Sequence, residues 1–184
     1  MRFREVFESE VYTIENALRT HYDAEMQYTF RMVAVEQLTK LEWQMIYLLQ
    51  GRLSTSYLRF FYGGARTQLL LISLEERLVA LLWLVPHAQI WRRYPFVEKE
   101  AAAIIACVTD PEFRGRGIYP MGIRRIASSN HSVRYFIWAH RTNAASLRGI
   151  VKAGGARIGY FVRVRWLRGL FSQVRFHALD SDAE

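Results

Sequence analysis

An apolar run that passes into a glycine-spaced basic turn constrains the fold of this chain more than any other feature. Residues 101–109 are almost all apolar, which is typical of a strand buried on both faces. The turn Phe-Arg-Gly-Arg-Gly follows at 113–117, and a helix is predicted from Ile118. Glycine lets the backbone approach a ligand closely, and the unpaired N–H groups at a helix start favour an anion. The segment therefore predicts a strand, a phosphate-binding turn and a helix in succession.

The spacing of this turn differs from both well-known nucleotide-binding glycine loops. Gly115 and Gly117 are separated by one residue, without the closing Gly-Lys-Ser/Thr of one loop or the third glycine of the other. Arg114 and Arg116 alternate with the glycines and supply positive charge. The expected ligand is therefore a phosphate-bearing molecule other than ATP or NAD.

Composition sets limits on domain number, partners and compartment. With 184 residues, 51% of them apolar, the chain is expected to form one domain over residues 1–184. The net charge of +8 favours anionic partners. Cys107 is the only cysteine, so an internal disulfide and a cysteine zinc cluster are both excluded. Because charged residues interrupt the N-terminus and a reducing compartment is the simplest expectation, we predict a cytoplasmic protein.

Hydrophobic periodicity divides the chain into an extension, a core and a tail. Apolar residues in segment 5–20 recur at roughly helical spacing, which predicts an N-terminal helical extension over residues 1–24. Strand and helix patterns alternate through a core at 27–167, and residues 168–184 are predicted as a last strand and tail. The fold class is α/β (α+β), with a mixed central sheet of about six to seven strands flanked by helices.

Two motifs carry a resemblance to a known family. The turn contains Arg-x-x-Gly at Arg114 and Gly117, and segment 143–154 begins with Asn-x-x-Ser and ends with Lys-x-Gly. One predicted helix and one predicted strand lie between the two motifs. Together they resemble the coenzyme loop and second motif of the GNAT superfamily of acyl-coenzyme-A-dependent N-acetyltransferases. The resemblance extends over residues 27–167 and implies a GNAT-like fold.

The resemblance implies that the chain binds acetyl-CoA. The strand before the turn would hydrogen-bond the pantetheine arm as an added strand would, and the turn amides would hold the pyrophosphate. The implied coenzyme-binding residues are Cys107, Val108, Thr109, Arg114, Gly115, Arg116, Gly117, Ile118, Tyr119, Asn143 and Ser146. Beyond the turn, the strands that carry Ala106 and Ala139 are expected to splay apart and leave a slot where thioester and amine meet. The sequence has no metal-site spacing such as His-Glu-x-x-His, so no metal ion is expected.

Acyl transfer needs a base for the amine and a hydrogen-bond donor for the charge that develops on the thioester oxygen. The resemblance implies that a backbone N–H near Val108 is this donor. Carboxylates and imidazoles near the slot are candidates for the base, namely Glu98, Glu100, His87 and His140. Glu100 and His140 are favoured, because Glu100 opens the strand beside the coenzyme and His140 ends the partner strand.

The departing thiolate also needs a proton, and the chain lacks the usual donor. Ile150 stands seven residues after Asn143, where many members of the family have a tyrosine. Solvent, Tyr119 or Tyr160 is left as the source. Tyr119 is itself a departure, because the family loop usually has Gly or Ala there. Its side chain is expected to point away from the phosphates and either pack the helix start or contact the coenzyme.

The acceptor is expected to be a primary amine of a small molecule, either an amino sugar or a metabolite. The segments expected to contact it are 36–62 and 87–99, which mix aromatic and charged side chains. A peptide amine is a further option. A longer acyl chain on coenzyme A or carrier protein is an alternative donor, and residues 81–96 would then line an acyl tunnel.

A different class of function is a non-catalytic basic module that binds anionic lipid or nucleic acid. Arginines alternate with aromatic residues near the C-terminus: Arg163, Arg165, Arg168 and Arg175 with Phe161, Trp166, Phe171 and Phe176. A solvated basic face of the sheet explains the same pattern. No stable nucleic-acid or membrane partner is therefore expected, and a homodimer is left open.

Overall fold

Eight strands hydrogen-bond into one sheet in the computed structural model, which describes residues 4–14, 27–166 and 171–179. The strands are β1 (Arg4–Ile14), β2 (Tyr28–Ala34), β3 (Gln68–Leu74), β4 (Arg77–Pro86), β5 (Ala102–Thr109), β6 (Tyr135–His140), β7 (Ala156–Trp166) and β8 (Phe171–Ala178). The helices are α1 (Lys40–Gln50), α2 (Arg52–Tyr62), α3 (His87–Ile90), α4 (Ile118–Ala127) and α5 (Ala144–Lys152). No described helix is long and apolar enough to cross a bilayer.

The sheet is mixed, with the order β2-β3-β4-β5-β6-β1-β7-β8. Every neighbouring pair is antiparallel except β5 and β6, which run parallel. The mixed sheet with flanking helices confirms the predicted α+β class. The described strands number eight, one more than the upper end of the predicted range, because the N-terminal segment also forms a strand.

The predicted N-terminal helix is wrong over the part of segment 5–20 that the structure describes. Residues 4–14 form β1, which pairs with β6 on one side and with β7 on the other. The pairing with β7 shifts register between Val11 and Tyr12, which lie in the cores on opposite faces of the sheet. A strand with apolar side chains on both faces and a register shift imitates helical spacing. Residues 15–24 of the predicted extension lie outside the described residues.

Helices cover both faces of the sheet and divide the core in two. On one face, α4 and α5 contribute Met121 and Ile150 to a cluster that includes Ile104 of β5. On the other face, α1 and α2 contribute Ile46 and Leu58 to a second cluster. The α1 helix begins with a capping box, in which the side chains and amides of Thr39 and Glu42 satisfy each other.

The middle of the sheet opens between β5 and β6. The two strands pair only between residues 102–104 and 135–137, so the second half of β5 has no strand partner on that edge among the described residues. On its other edge, β5 shifts register against β4 between Leu81 and Trp83. Ala106, within this irregular stretch, has a φ of 48°. The splay predicted beyond this point is therefore present, and it creates the space for a site.

Candidate functional site

A cleft of about 710 Å³ lies beside the unpaired half of β5. Its walls are residues 107–109 of β5, the turn at 113–117, the first turn of α4 and the facing side of α5. It brings together all the residues predicted to bind the coenzyme except Arg116. Whether they bind acetyl-CoA stays a prediction.

The turn at the end of the cleft presents free backbone amides. Gly115 and Gly117 have φ values of 79° and 76°, a left-handed conformation that strains any residue with a side chain. Within the described part of the chain, no carbonyl or side chain accepts a hydrogen bond from the amides of Gly115, Arg116 or Gly117. An added Cβ at either glycine would meet nothing within 4 Å. These amides are therefore available to an anion in the cleft.

Cations line the cleft on two sides. Arg114 comes from the turn, while Arg148 and Lys152 come from α5, and none of the described lining residues is Asp or Glu. Arg148 and Lys152 were not predicted from the sequence as site residues. Their spacing of four on a predicted helix puts them on one face, and this signal could have found them. Arg116, in contrast, lies with its guanidinium carbon 4.8 Å from the centre of the Phe113 ring.

The two carboxylates next to the turn are held by another arginine. The Arg77 guanidinium donates to Asp110 at 2.8 Å and lies 2.6 Å from Glu112. The Glu112 amide also donates to Asp110 at 3.0 Å, and this bond and Arg77 lower the pKa of Asp110. The carboxylates are therefore paired, and the positive charge of the turn is not cancelled inside the cleft.

Tyr119 fills a gap between α4 and α5. Its ring lies over Gly149, where an added Cβ would come within 2.5 Å of a ring carbon. Its hydroxyl lies beside Cys107, whose thiol donates to the Ile105 carbonyl at 3.7 Å. Burial raises the pKa of both groups, that of Cys107 to about 12, so the thiol stays protonated at neutral pH. Cys107 is therefore unsuited to act as a nucleophile, in line with the sequence interpretation of this segment as a buried strand.

The contact between Tyr119 and Gly149 gives a first prediction. Gly149→Ala should lower the free energy of unfolding by about 1–3 kcal/mol, because the added methyl overlaps the Tyr119 ring. Urea unfolding of the variant and the wild type measures the difference. In a Tyr119→Ala background the same substitution should cost much less, and equal costs in both backgrounds would contradict the packing described above.

Neither of the two favoured bases is among the described residues that line the cleft, and they lie at opposite ends of neighbouring strands. His140 ends β6, and its carbonyl accepts from the Asn143 amide at 2.8 Å, so it adjoins the residue that begins α5. Its Nδ1 is 2.7 Å from Thr142 Oγ1 and 3.3 Å from the Thr142 amide nitrogen, so Thr142 fixes the ring. Nε2 is open to accept a proton only in the tautomer whose Nδ1–H donates to Thr142 Oγ1. Glu100 is exposed with a φ of 72°, at the start of β5. At about 3.3 Å per residue, Glu100 is roughly 20 Å along the chain from Ala106.

Asn143 and Ile150 have structural roles. The Asn143 side chain accepts from the Ser146 amide at 3.1 Å and caps α5. Asn143 and Ser146 also line the cleft. Ile150 is fully buried in the core and does not line the cleft. Tyr160 stacks on His177 at 4.7 Å and is not among the cleft residues. Tyr119 is therefore the described tyrosine that lines the cleft.

Gln50 is a positioning residue that sequence analysis missed. Its Nε2 donates to the Ala106 carbonyl at 3.1 Å, and its Oε1 accepts from Trp83 Nε1 at 3.1 Å. Thr55 Oγ1 donates to the same oxygen at 3.4 Å. Gln50 thus ties the end of α1 to the irregular stretch where β4 and β5 shift register. No local pattern marks it, because its partners are distant in sequence.

The segments expected to contact the acceptor are only partly brought together. Tyr94 is buried, whereas Trp91 is exposed beneath the Arg92 guanidinium. Glu98 accepts two hydrogen bonds from Arg134 and is occupied in that pair. None of the described residues that line the cleft comes from 81–96, so the acyl-tunnel alternative gains no support. Among the described residues, no group of three or more His, Cys, Asp and Glu is placed to hold a metal ion.

The C-terminal basic module is not a continuous exposed surface in the described region. Phe161 is buried in the core, and Arg163 lies half-buried over the Tyr94 ring at 4.9 Å. Arg175 is exposed, and Phe176 stacks on Phe96. The remaining members of the predicted set fall outside the described side chains, namely Arg165, Trp166, Arg168 and Phe171.

Similar folds occur among solved acetyltransferases. A GNAT-family acetyltransferase from Colwellia psychrerythraea has a TM-score of 0.60 and 16% identity, over 89% of this chain and 56% of that one. An aminoglycoside acetyltransferase from an uncultured soil metagenomic sample, solved with sisomicin, has a TM-score of 0.51 and 14% identity, over 71% and 90%. A GCN5-related N-acetyltransferase-like protein from Streptococcus suis has a TM-score of 0.50 and 11% identity, over 89% and 63%.

The chain therefore has the fold of the GNAT acetyltransferases, which confirms the resemblance that the two motifs indicated. No protein-family model and no curated protein matches the sequence. At these identities the likeness is one of fold. The chain spans 56% of the Colwellia protein, which is less than two thirds of its length.

Proposed function

We propose that this chain transfers the acetyl group of acetyl-CoA to a primary amine of a small molecule. One observation carries the proposal: the unpaired edge of β5 and the free amides of the turn at 115–117 border one cleft. A strand edge suits an extended amide-bearing chain, and the turn suits a diphosphate. Acetyl-CoA contains both groups in that order.

The residues of the cleft fit this ligand in size and charge. The volume of about 710 Å³ is within the usual range of cofactor sites. Gly115 and Gly117 leave room where side chains would block the backbone from phosphates. Arg114, Arg148 and Lys152 add counter-charge around the turn. Acetyl-CoA, when bound, supplies a thioester whose carbonyl is open to an amine.

The chain would contribute donors and a base to the reaction. A backbone N–H near Val108, beside the slot, would donate to the thioester oxygen as negative charge develops there. His140 would take the proton of the amine at Nε2 in the tautomer whose Nδ1–H donates to Thr142 Oγ1, with Thr142 holding the ring in place. Glu100 is not proposed for this role, because it lies at the far end of β5.

Tyr119 suits a hydrogen-bonding role better than full proton transfer. Its raised pKa keeps the phenol neutral, and its hydroxyl already reaches the β5 side chain of Cys107. A neutral phenol beside the cleft would stabilise a thiolate by donating a hydrogen bond. Solvent would then deliver the proton to the leaving thiolate.

Of the candidate acceptor classes, an amino sugar is the one that the name of a similar solved structure also suggests. One of the similar folds is an aminoglycoside acetyltransferase, although that likeness concerns the fold alone. Two exposed or half-buried groups at the end of β6, His140 and Arg141, adjoin the cleft helix α5. The acceptor would approach from this side, where the slot between β5 and β6 opens.

The proposal is tested by measuring thiol release from acetyl-CoA in the presence of a panel of amines. The panel contains aminoglycosides, simple amino sugars, polyamines and a peptide with a free α-amine. Release that depends on one class of amine, with the acetylated product identified by mass spectrometry, supports the proposal. The absence of both turnover and acetyl-CoA binding would overturn it.

The role of His140 gives a second prediction. His140→Gln should lower kcat by about a hundredfold, because the amine loses its base, while the KM for acetyl-CoA changes little. Steady-state kinetics with the best amine measure both constants. His177→Gln on β8 is the matched control and should leave kcat unchanged. Equal kcat in the His140 variant and the wild type would assign the base elsewhere.

A further inference from the structure

A stripe of exposed apolar side chains runs along the outer face of α2. Leu53 is 90% exposed and Phe60 is 83% exposed, and Tyr57 and Phe61 lie on the same helix with their ring centres 4.5 Å apart. The spacing of these four residues puts them on one helical face, opposite the face that enters the core. Large apolar side chains clustered in this way mark an interaction surface.

The same region is strongly basic. The α2–α3 surface, defined as residues 52–66 and 87–93, carries five arginines: Arg52, Arg59, Arg66, Arg92 and Arg93. Its two parts touch, because the Arg93 guanidinium lies 5.5 Å from the Tyr57 and Phe61 rings. The chain has no Asp or Glu from 43 to 74 or from 77 to 97. The surface therefore combines exposed apolar groups with positive charge that these segments do not neutralise.

This combination distinguishes between partners. A second copy in a two-fold dimer would set the same five arginines against each other, and like charges at an interface are unfavourable. A nucleic acid would match the positive charge, but its phosphates and sugars provide no apolar surface to bury the exposed Leu53 side chain. An anionic bilayer matches both features, since phosphates bind arginine and the boundary with the acyl chains accepts Leu, Phe, Tyr and Trp.

We propose that the α2–α3 surface docks on an anionic phospholipid bilayer. The stripe of Leu53, Tyr57, Phe60 and Phe61 enters the headgroup boundary, and the exposed arginines Arg52, Arg66 and Arg92 contact lipid phosphates. The α2 helix begins at Arg52, two residues after Gln50, which hydrogen-bonds Ala106 where the sheet opens. Docking would therefore bring this part of the sheet close to the bilayer surface. The proposal is independent of acetyl transfer and departs from the expectation that no membrane partner exists.

Co-sedimentation with vesicles tests the proposal. The full chain is mixed with vesicles made of phosphatidylcholine alone or of phosphatidylcholine with one quarter phosphatidylglycerol. Each mixture is measured at low salt and at 0.5 M salt, where the Debye length falls to about 4–5 Å. We expect pelleting with anionic vesicles, none with neutral ones, and weaker pelleting at high salt. The affinity of the double variant Leu53→Ser/Phe60→Ser for anionic vesicles should be lower by a factor of about ten or more.

Controls separate the apolar stripe from general charge and from misfolding. Val151→Ser changes an exposed apolar residue on α5 and should bind as the wild type does. Circular dichroism and thermal melting check that each variant is folded. No preference for anionic vesicles, or equal binding by the double variant, would overturn the proposal. A dimer that dissociates in the double variant, or tighter retention on single-stranded DNA than on vesicles, would also overturn it.

Discussion

Gly117→Glu is expected to abolish the thermal stabilisation of this protein by acetyl-CoA. In the wild type, acetyl-CoA at 100 times its Kd should raise the free energy of unfolding by about 2.7 kcal/mol, or roughly 5–10 °C in Tm. In the variant, a carboxylate occupies the open space beside the free amides of the turn. It would block the phosphates sterically and repel their charge. Differential scanning fluorimetry with and without acetyl-CoA measures the effect.

The conformation of Gly117 requires a control for strain. Its φ of 76° means that any side chain costs about 1–2 kcal/mol there, whether or not a ligand binds. Gly154→Glu is the matched control, because Gly154 has a φ of 92°, has open space around it and does not line the cleft. The Gly154→Glu variant should be less stable than the wild type, but acetyl-CoA should raise its Tm by the same amount. If acetyl-CoA raises the Tm of the Gly117→Glu variant as much as that of the wild type, the turn is not part of the coenzyme site.

The turn could be predicted from sequence because its requirements are local. A glycine at a left-handed φ, a strand before it and an amphipathic helix after it are all visible within about 20 residues. The predicted start of α4 at Ile118 agrees with the structure for the same reason. Arg116 was predicted to bind the coenzyme, but in the structure it lies against the Phe113 ring and not in the cleft. Sequence alone does not decide between these two orientations of one long side chain.

Long-range pairing explains what sequence could not provide. β1 lies between β6 and β7, more than 120 residues away in the chain, so its strand conformation depends on partners that no local window contains. Its apolar residues at both faces then looked helical. Gln50 was missed for the same reason, since it meets Ala106 across a separation of 56 residues.

Gln50→Leu is expected to lower both stability and coenzyme affinity. Leucine keeps much of the volume but leaves the buried indole N–H of Trp83 and the carbonyl of Ala106 without their present partner. Each unpaired group costs about 1–3 kcal/mol, so we expect a loss of about 2–4 kcal/mol, or roughly 5–15 °C in Tm. Urea unfolding and thermal melting measure the loss. Gln44→Leu, at an exposed position of α1, is the matched control and should change stability by no more than about 0.5 kcal/mol.

The effect on affinity follows from the backbone of β5. Ala106 is held at a φ of 48°, and the next two residues, Cys107 and Val108, line the cleft. Without Gln50 the strained residue can relax toward a regular strand, which moves the backbone of these two residues relative to a bound pantetheine chain. The Kd for acetyl-CoA should then rise on the order of tenfold, because small misplacements of positioning groups are costly. If stability falls while the Kd is unchanged, Gln50 supports the sheet alone and the irregular stretch of β5 does not shape the cleft.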